Sequence, residues 1–195
     1  AIARDLKGAD YEKKLVWKTD EGIQVRPYYR SEDAPRRGPL LRPDGGGWRM
    51  VRPGDEPALD VSAVDLHELG ATAVEEVGCV LARAADRLAA GGRLESVGFA
   101  VGSNFAMEVA KLRAARILLG EVVSAFGRQP GSSPPDGLRI HVRTANANKT
   151  LYDPLVNLLR VTTEAMSAVV GGCDSLTIPA CRFDAHLAEN VQHVL

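Results

Sequence analysis

The chain has 195 residues, with 24 basic and 25 acidic side chains and 45% hydrophobic residues. That length supports one ordinary domain with a sizeable core, and near-neutral charge removes any global electrostatic case for nucleic acid or an anionic membrane as partner. Cys79, Cys173 and Cys181 are odd in number and lack metal-ligand spacing, so inert thiols in a reducing cytoplasm and no metal site are expected. No stretch approaches the roughly 20 apolar residues of a membrane span. The opening AIARDLKGADYEKKL is polar, helix-prone and without secretory character.

Residues 1–58 differ from the rest. A short helix is expected from Asp10 to Trp17. Beyond it the segment has little periodicity but carries Pro27, Pro35, Pro39, Pro43, Pro53 and Pro57 and the run Gly45-Gly46-Gly47. Such a segment buries little surface alone, so an extended N-terminal arm is expected, wrapped on a body or a partner. Its arginines (Arg26, Arg30, Arg36, Arg37, Arg42, Arg49 and Arg52) form either a solvated face or a contact for a phosphate-bearing ligand or acidic neighbour subunit.

From residue 59 to 195 the rhythm is regular. Leu59 to Val64 reads as a short strand. Thr72-x-x-Glu75 has the form of a capping box, and Val77, Val80, Leu81, Ala84 and Leu88 form an apolar stripe ending at Gly91-Gly92. Val97 to Val101 is the next strand. Ser103 or Asn104 caps a helix with the stripe Phe105, Val109, Leu112, Arg116, Leu119 and Val123, ending at Gly127. The loop RQPGSSPPDG then leads to a run of period two: Leu138, Ile140 and Val142 share one face, Arg139, His141 and Arg143 the other.

Asp153-Pro154 opens a further helix. Leu155, Leu158, Leu159, Thr162, Met166 and Val169 recur along it at helical spacing, and Gly171-Gly172 closes it. A strand from Asp174 to Ile178 and a helix from Asp184 to Leu195 complete four successive βα units. Right-handed crossovers imply a parallel sheet and an α/β fold. An open sheet and part of a (β/α)8 barrel both fit. A complete barrel usually needs about 250 residues, and half a barrel leaves two raw strand edges.

Candidate chemistry gathers in the loops after the strands, where α/β folds place ligands. Asp65-x-His67-x-x-Gly70 matches a signature by which histidine ligates the cobalt of cobalamin, with a carboxylate tuning the imidazole. The pattern fixes only three residues; elsewhere Ser-x-Leu and then Gly-Gly follow it, whereas here Gly171-Gly172 precedes Ser175-Leu176. Lys111, Arg113 and Arg116 read as a solvated helical face or as partners of carboxylates such as Glu108. In TANANKT (144–150), Lys149 is placed to meet an anion. There is no nucleophile elbow, P-loop, Gly-x-Gly-x-x-Gly after a strand, or metal cluster.

Several long strings resemble the acyl-CoA mutase family best known from methylmalonyl-CoA mutase. They are VGFAVGSNFAMEVAKLRAARILL (97–119) and RTANANKTLYDPLVNLLRVTTEAMSAVVGGCDSLT (143–177). DLHELGATAVEE (65–76) is similar to the family's His-x-x-Glu-Ala-Gly-Ala segment. YEKKLVWKTDEGIQVRPYY (11–29) resembles its N-terminal arm, and Trp48 to Arg52 its lead-in strand.

The resemblance implies a substrate-channel (β/α)8 barrel, here incomplete, that isomerises carbon skeletons with adenosylcobalamin on a separate domain. By the same alignment the family's catalytic histidine falls at Asp65, a usual glutamine at His67 and the active-site tyrosine at Pro53. NKTLYDP, with Lys149 and Leu151, looks more like the smaller, non-catalytic subunit of heterodimeric mutases.

The expectation is therefore a chain without catalytic or metal-binding residues that binds no cofactor itself. It would pair with a catalytic large subunit bearing adenosylcobalamin, and acyl-CoA would be met at Asp65, His67, Asn104, Thr144, Asn146 and Lys149. One alternative is a catalytic mutase component for another acyl-CoA, completed by a separate cobalamin-binding protein, which predicts that same acyl-CoA footprint. Another, of a different class, is a stand-alone scaffold or CoA-binding module that dimerises over its open strand edges. Between Arg52 and Leu59 the family would have several more βα units, where this chain has only a few residues.

Overall fold

The computed structural model describes residues 2–33, 47–127, 137–180 and 185–195 and divides the chain into two compact units, Ala1–Pro39 and Leu40–Leu195. Pro35, Pro39, Pro43, Gly45, Gly46, Arg36, Arg37, Arg42, Cys181 and nearly all of the RQPGSSPPDG loop lie outside the described residues.

In the first unit α1 covers Ile2–Asp5 and α2 covers Tyr11–Leu15. Asp10 starts α2 by accepting from the Lys13 N–H at 3.1 Å. An antiparallel pair, β1 (Trp17–Lys18) with β2 (Gln24–Val25), follows; aperiodic polar sequence gave no sign of it. Its turn needs Gly22, whose φ of +84° lies in the left-handed region. A 3-10 turn at Ser31–Asp33 positions Asp33 to accept from Arg26 at 2.8 Å and from the Arg30 N–H at 2.9 Å. Two of the arm's arginines thus serve exposed local pairs.

In the second unit the alternating and apolar runs become β3 (Arg49–Met50), β4 (Val61–Ser62), β5 (Ser96–Val101), β6 (Arg139–Thr144) and β7 (Ser175–Thr177). The helices are α3 (Val64–Glu68), α4 (Ala73–Ala89), α5 (Phe105–Ala125), α6 (Pro154–Gly171) and α7 (Ala185–Val194). The expected caps are in place. Thr72 and Glu75 form the reciprocal capping box on α4, and Asn104 accepts from the Met107 N–H. Asp153 accepts from the Leu155 and Val156 N–H groups, with Pro154 in the first turn of α6. Gly172, at φ +91°, ends it. The strand expected at Leu59–Val64 is shorter, because the chain turns into α3 at Val64.

All five strands are parallel, in the order β3-β7-β6-β5-β4. From β4 to β7 strands consecutive in sequence are neighbours, and the earliest, β3, adds beside the last. A doubly wound sheet reverses its order at a switch point instead. This is the arrangement of a closing β/α barrel with its middle strands missing. One sheet face carries Val97, Phe99, Val101, Ile140, Val142 and Leu176, all fully buried beneath α4, α5 and α6, which pack side by side.

The opposite face is polar. Register aligns Arg49, Ser175, His141, Gly98 and Ser62 in one row, with Thr177, Arg143 and Ala100 in the row above. Residues 51–60 cross this face from one sheet edge to the other. Leu59 lies so close over Gly98 that a Cβ there would overlap its Cδ1, and Ser96 Oγ donates to the Ala58 carbonyl at 3.2 Å.

Two helices are rotated from the expected stripes. On α5 the buried residues are Glu108, Lys111, Leu112, Ala115 and Leu119, while Phe105 is exposed. On α6 they include Val161, Glu164, Ala165, Ala168 and Gly171, while Leu155, Leu159 and Met166 face outward. The cause is close helix packing. A Cβ on Gly171 would sit 2.8 Å from Leu112 Cδ1, so the small residues of α6 turn inward and the large ones are left outside.

Candidate functional site

The rim at the C-terminal ends of β4, β5 and β6 collects all six residues singled out from sequence. Asp65 sits in the first turn of α3, exposed, with its carboxylate 3.6 Å from Arg83. Two residues onward, His67 packs its ring against Gly102, where an added Cβ would lie 3.0 Å from Nε2. Its Nδ1 lies 2.7 Å from Glu76 Oε1. An ionised carboxylate only accepts, so Nδ1 carries the proton and donates.

Glu76 is shared. The Lys111 ammonium donates to both its oxygens, at 3.1 and 3.0 Å, and to the Ala100 carbonyl at 2.8 Å. It also lies 2.6 Å from Glu108 Oε2, and Glu108 Oε1 accepts from the Gly102 N–H at 3.1 Å. A His-Glu-Lys-Glu chain therefore runs beneath the rim and ties α3, α4 and α5 to the end of β5. A solvated face is the wrong description of Lys111, which is fully buried; the pairing with Glu108 is present. Arg116 is likewise committed, bonding Asp174 Oδ2 at 2.7 Å and the Gly172 carbonyl at 2.8 Å. Arg113 is exposed and donates to the Val170 carbonyl at 3.1 Å.

Lys149 does not stand open to an outside anion. Its ammonium sits 2.6 and 2.5 Å from the Glu164 oxygens and 2.7 Å from Asn148 Oδ1. Burial pushes the Glu164 carboxyl up from its ordinary range, and the bonds from Lys149 and Asn148 oppose that shift. Asn146 and Ala147 give their N–H groups to the Glu68 carboxylate, each at 2.8 Å, which fastens the loop after β6 to α3. Thr144 is buried with Oγ1 lacking a hydrogen-bond partner, and Asn104 is spent on capping α5. The six residues thus share a rim but split into an inner set, His67, Thr144 and Lys149, and an outward set, Asp65, Asn104 and Asn146.

The polar sheet face holds a second group that sequence reasoning left as the far side of a strand. His141 is 3% exposed, and its Nδ1 shares a 2.8 Å hydrogen bond with Ser175 Oγ. Burial, reinforced by Arg49 and Arg143 and opposed by Glu56, lowers its pKa to about 4, so the ring is neutral at physiological pH. His141 Nε2, Arg143 Nε and Thr177 Oγ1 are buried without hydrogen-bond partners. The signal was available: in 138–143 the polar side of the alternation is as continuous as the apolar side.

In the Asp65-x-His67-x-x-Gly70 run it is Glu76, not Asp65, whose carboxylate meets the imidazole. The Asp65 carboxylate points to Arg83, and the imidazole is packed between Glu76 and the backbone at Gly102. Among the described residues no three His, Cys, Asp or Glu side chains group as a metal site, and no helix is long and apolar enough to cross a membrane. Cys79 and Cys173 form no disulfide.

Helices on one face, chain-consecutive parallel strands and polar residues on the other face and rim define a segment of a β/α-barrel protein. Sequence comparison refines that class. The family description "Methylmalonyl-CoA mutase" matches residues 55–192, and the chain belongs to that family. It is 40% identical over 130 residues to the methylmalonyl-CoA mutase small subunit of Porphyromonas gingivalis, covering 62% of this chain and 21% of that protein. It is 36% identical over 158 residues to the methylmalonyl-CoA mutase of Cereibacter sphaeroides, covering 71% and 22%. Against the large subunit from Propionibacterium freudenreichii subsp. shermanii it is 35% identical over 157 residues, covering 69% and 21%. The matched stretch spans about one fifth of the length of these relatives.

Proposed function

We propose that this chain is a small-subunit-like, non-catalytic component of a cytoplasmic methylmalonyl-CoA mutase. It steadies a catalytic large subunit, which carries adenosylcobalamin and interconverts methylmalonyl-CoA and succinyl-CoA. The observation that carries this reading is the crossing of residues 51–60 over the polar sheet face, the side on which the family resemblance implies a substrate channel. Asp65 supports it: an exposed carboxylate paired with Arg83 stands where the resemblance implies a catalytic histidine. The role left to the chain is to present a rigid surface, and its buried ion chains supply that rigidity. The test is an isomerase assay on the purified chain with adenosylcobalamin, expected to give no turnover, alongside co-purification with a full-length mutase large subunit. Turnover by the chain alone overturns the reading.

A second reading, an acyl-CoA-binding component, is favoured by the unpartnered polar atoms of His141, Arg143 and Thr177. It places the ligand beside these atoms and along the rim at Asp65, His67, Asn104, Thr144 and Asn146, without the contact expected at Lys149, whose ammonium Glu164 and Asn148 hold. Titration calorimetry with coenzyme A and methylmalonyl-CoA separates the two: binding heat supports this reading, and its absence removes it.

A further inference from the structure

We infer that the polar face of the sheet is a binding site for a small free carboxylate, held by Arg143 Nε, Thr177 Oγ1 and His141 Nε2. It goes beyond both readings above, neither of which needs a free acid. The three atoms are buried and have no hydrogen-bond partners. They sit on neighbouring positions of one ladder. Arg143 and Thr177 are register partners on β6 and β7, with strands about 5 Å apart, and His141 stands two residues before Arg143 on the same face, about 7 Å away. Thr177 is fully buried and His141 nearly so. Buried polar groups are almost always paired, so three orphans on adjacent positions point to a partner from outside the chain.

Their neighbours do not supply one. The row of Arg143 and Thr177 continues to Ala100 on β5. On its other side it continues to Val51, whose N–H donates to the Leu176 carbonyl at 2.9 Å. Both of these side chains are buried and apolar. In the row of His141, Ser175 is engaged with Nδ1, and Ser62 Oγ accepts from the Val64 N–H at 3.2 Å. The crossing segment brings an acid, Glu56, but its Oε2 accepts from the Gly54 N–H at 2.7 Å, in a turn where Gly54 takes φ +98°.

The donors decide the chemistry of the ligand. Arg143 and the Thr177 hydroxyl both donate. His141 is neutral, because burial lowers its pKa to about 4 against the charge of Glu56 and with that of Arg49 and Arg143. With the Ser175 hydroxyl donating to Nδ1, Nε2 carries the ring proton and becomes the third donor. Two basic groups and one acid bear on the ring, which leaves one positive charge and suits a monoanion. Phosphate would bring about two negative charges at neutral pH. Nε lies on an edge of the guanidinium that pairs with both oxygens of a carboxylate. Leu59 over Gly98 and Ala58 over Ser96 close the face towards β4, so a small free acid fits better than the end of a long thioester.

The test titrates the whole chain at pH 7 with sodium acetate, sodium chloride holding the ionic strength constant. The readouts are the urea unfolding midpoint and the histidine ring signals in NMR. Acetate should raise the midpoint saturably, as a ligand of the folded state does, and should shift the ring signal that His141→Asn removes. Thr177→Val keeps the shape of the side chain but not its hydroxyl, and Arg143→Gln removes the charge. Each should weaken acetate binding by about 10-fold, the loss of one hydrogen bond to a charged group, while Arg113→Gln should leave it unchanged. Thr177→Val guards against a folding artefact, because losing an orphan hydroxyl should not lower the midpoint without acetate. A midpoint that answers acetate no more than chloride overturns the inference, as does a response that survives both Thr177→Val and Arg143→Gln. Displacement of acetate by methylmalonyl-CoA overturns it too, since the carboxylate then arrives on a thioester.

Discussion

Lys111 Nζ stands 3.0 Å from Glu76 Oε2, with 0% of one side chain and 1% of the other exposed to solvent. Such a pair is weak evidence for stability as a whole, because both ions were taken out of water. Removing one partner alone strands the other without compensation, at a cost of about 3–5 kcal/mol. Lys111→Met is therefore expected to unfold the chain at markedly lower urea, by about that amount. Lys111→Met with Glu76→Leu should recover only part of the loss, because buried Glu108, 2.6 Å from the ammonium, still loses its cation. A double-mutant cycle from urea titrations measures the coupling, and a near-zero value would show the pair to be inert.

His141 makes stability depend on pH. Its folded pKa, near 4, lies below the ordinary 6.5, so between those values the unfolded state binds more protons. Stability is therefore full above about pH 6.5 and falls as pH drops toward 4, by at most about 3 kcal/mol. Urea midpoints measured from pH 7.5 to 4.5 should decline, and His141→Asn should flatten that decline. An unchanged slope in the variant would assign the pH dependence to other groups.

Two glycines on helices should respond to alanine in opposite directions. A Cβ on Gly171 meets Leu112 Cδ1 at 2.8 Å and Cβ at 3.0 Å, whereas one on Gly78 meets nothing within 4 Å. Alanine gains about 1 kcal/mol of helix propensity at either site, but overpacking at the α5–α6 contact costs about 1–3 kcal/mol. Gly78→Ala should raise the melting temperature, and Gly171→Ala should lower it or leave it flat. Thermal melts read both, and equal gains would mean that α6 is free to move away from α5.

The capping box offers a local test. Thr72 Oγ1 accepts from the Glu75 N–H at 3.3 Å, and Glu75 accepts from the Thr72 N–H at 2.8 Å. Thr72→Ala should cost about 1 kcal/mol. Bonds from Thr72 also hold the Glu75 carboxyl below its usual range, so the same substitution should move its titration upward in a carboxyl-resolved NMR series.

Much of the fold was legible because its signals are local. Thr72, Asn104, Asp153, Gly172 and the period of 138–143 each declare an element boundary from their own chemistry, and the parallel sheet follows from their order. What stayed hidden depends on contacts distant in sequence. Lys111, grouped by sequence with Arg113 and Arg116, looks solvated until Glu76, 35 residues earlier, is placed beside it. Leu155, Leu159 and Met166 have the spacing of a core face, yet the core took Ala165, Ala168 and Gly171, because Leu112 on another helix set how near α6 comes. Lys149 was legible as a cation after a strand; its engagement with Glu164 was not.

The position of β3 has a consequence for the order of assembly. Its ladder partner, β7, lies near the far end of the chain, and Arg52 beside it pairs with Glu189 at a separation of 137 residues. A ribosome releases β3 first, while β4, β5 and β6 find their neighbours as each emerges. The segment made earliest in this sheet therefore waits for β7 before it can dock, and long loop closure makes that step slow. Until then β7 is a bare edge, and a newly made chain has a window in which another strand can take the place of β3.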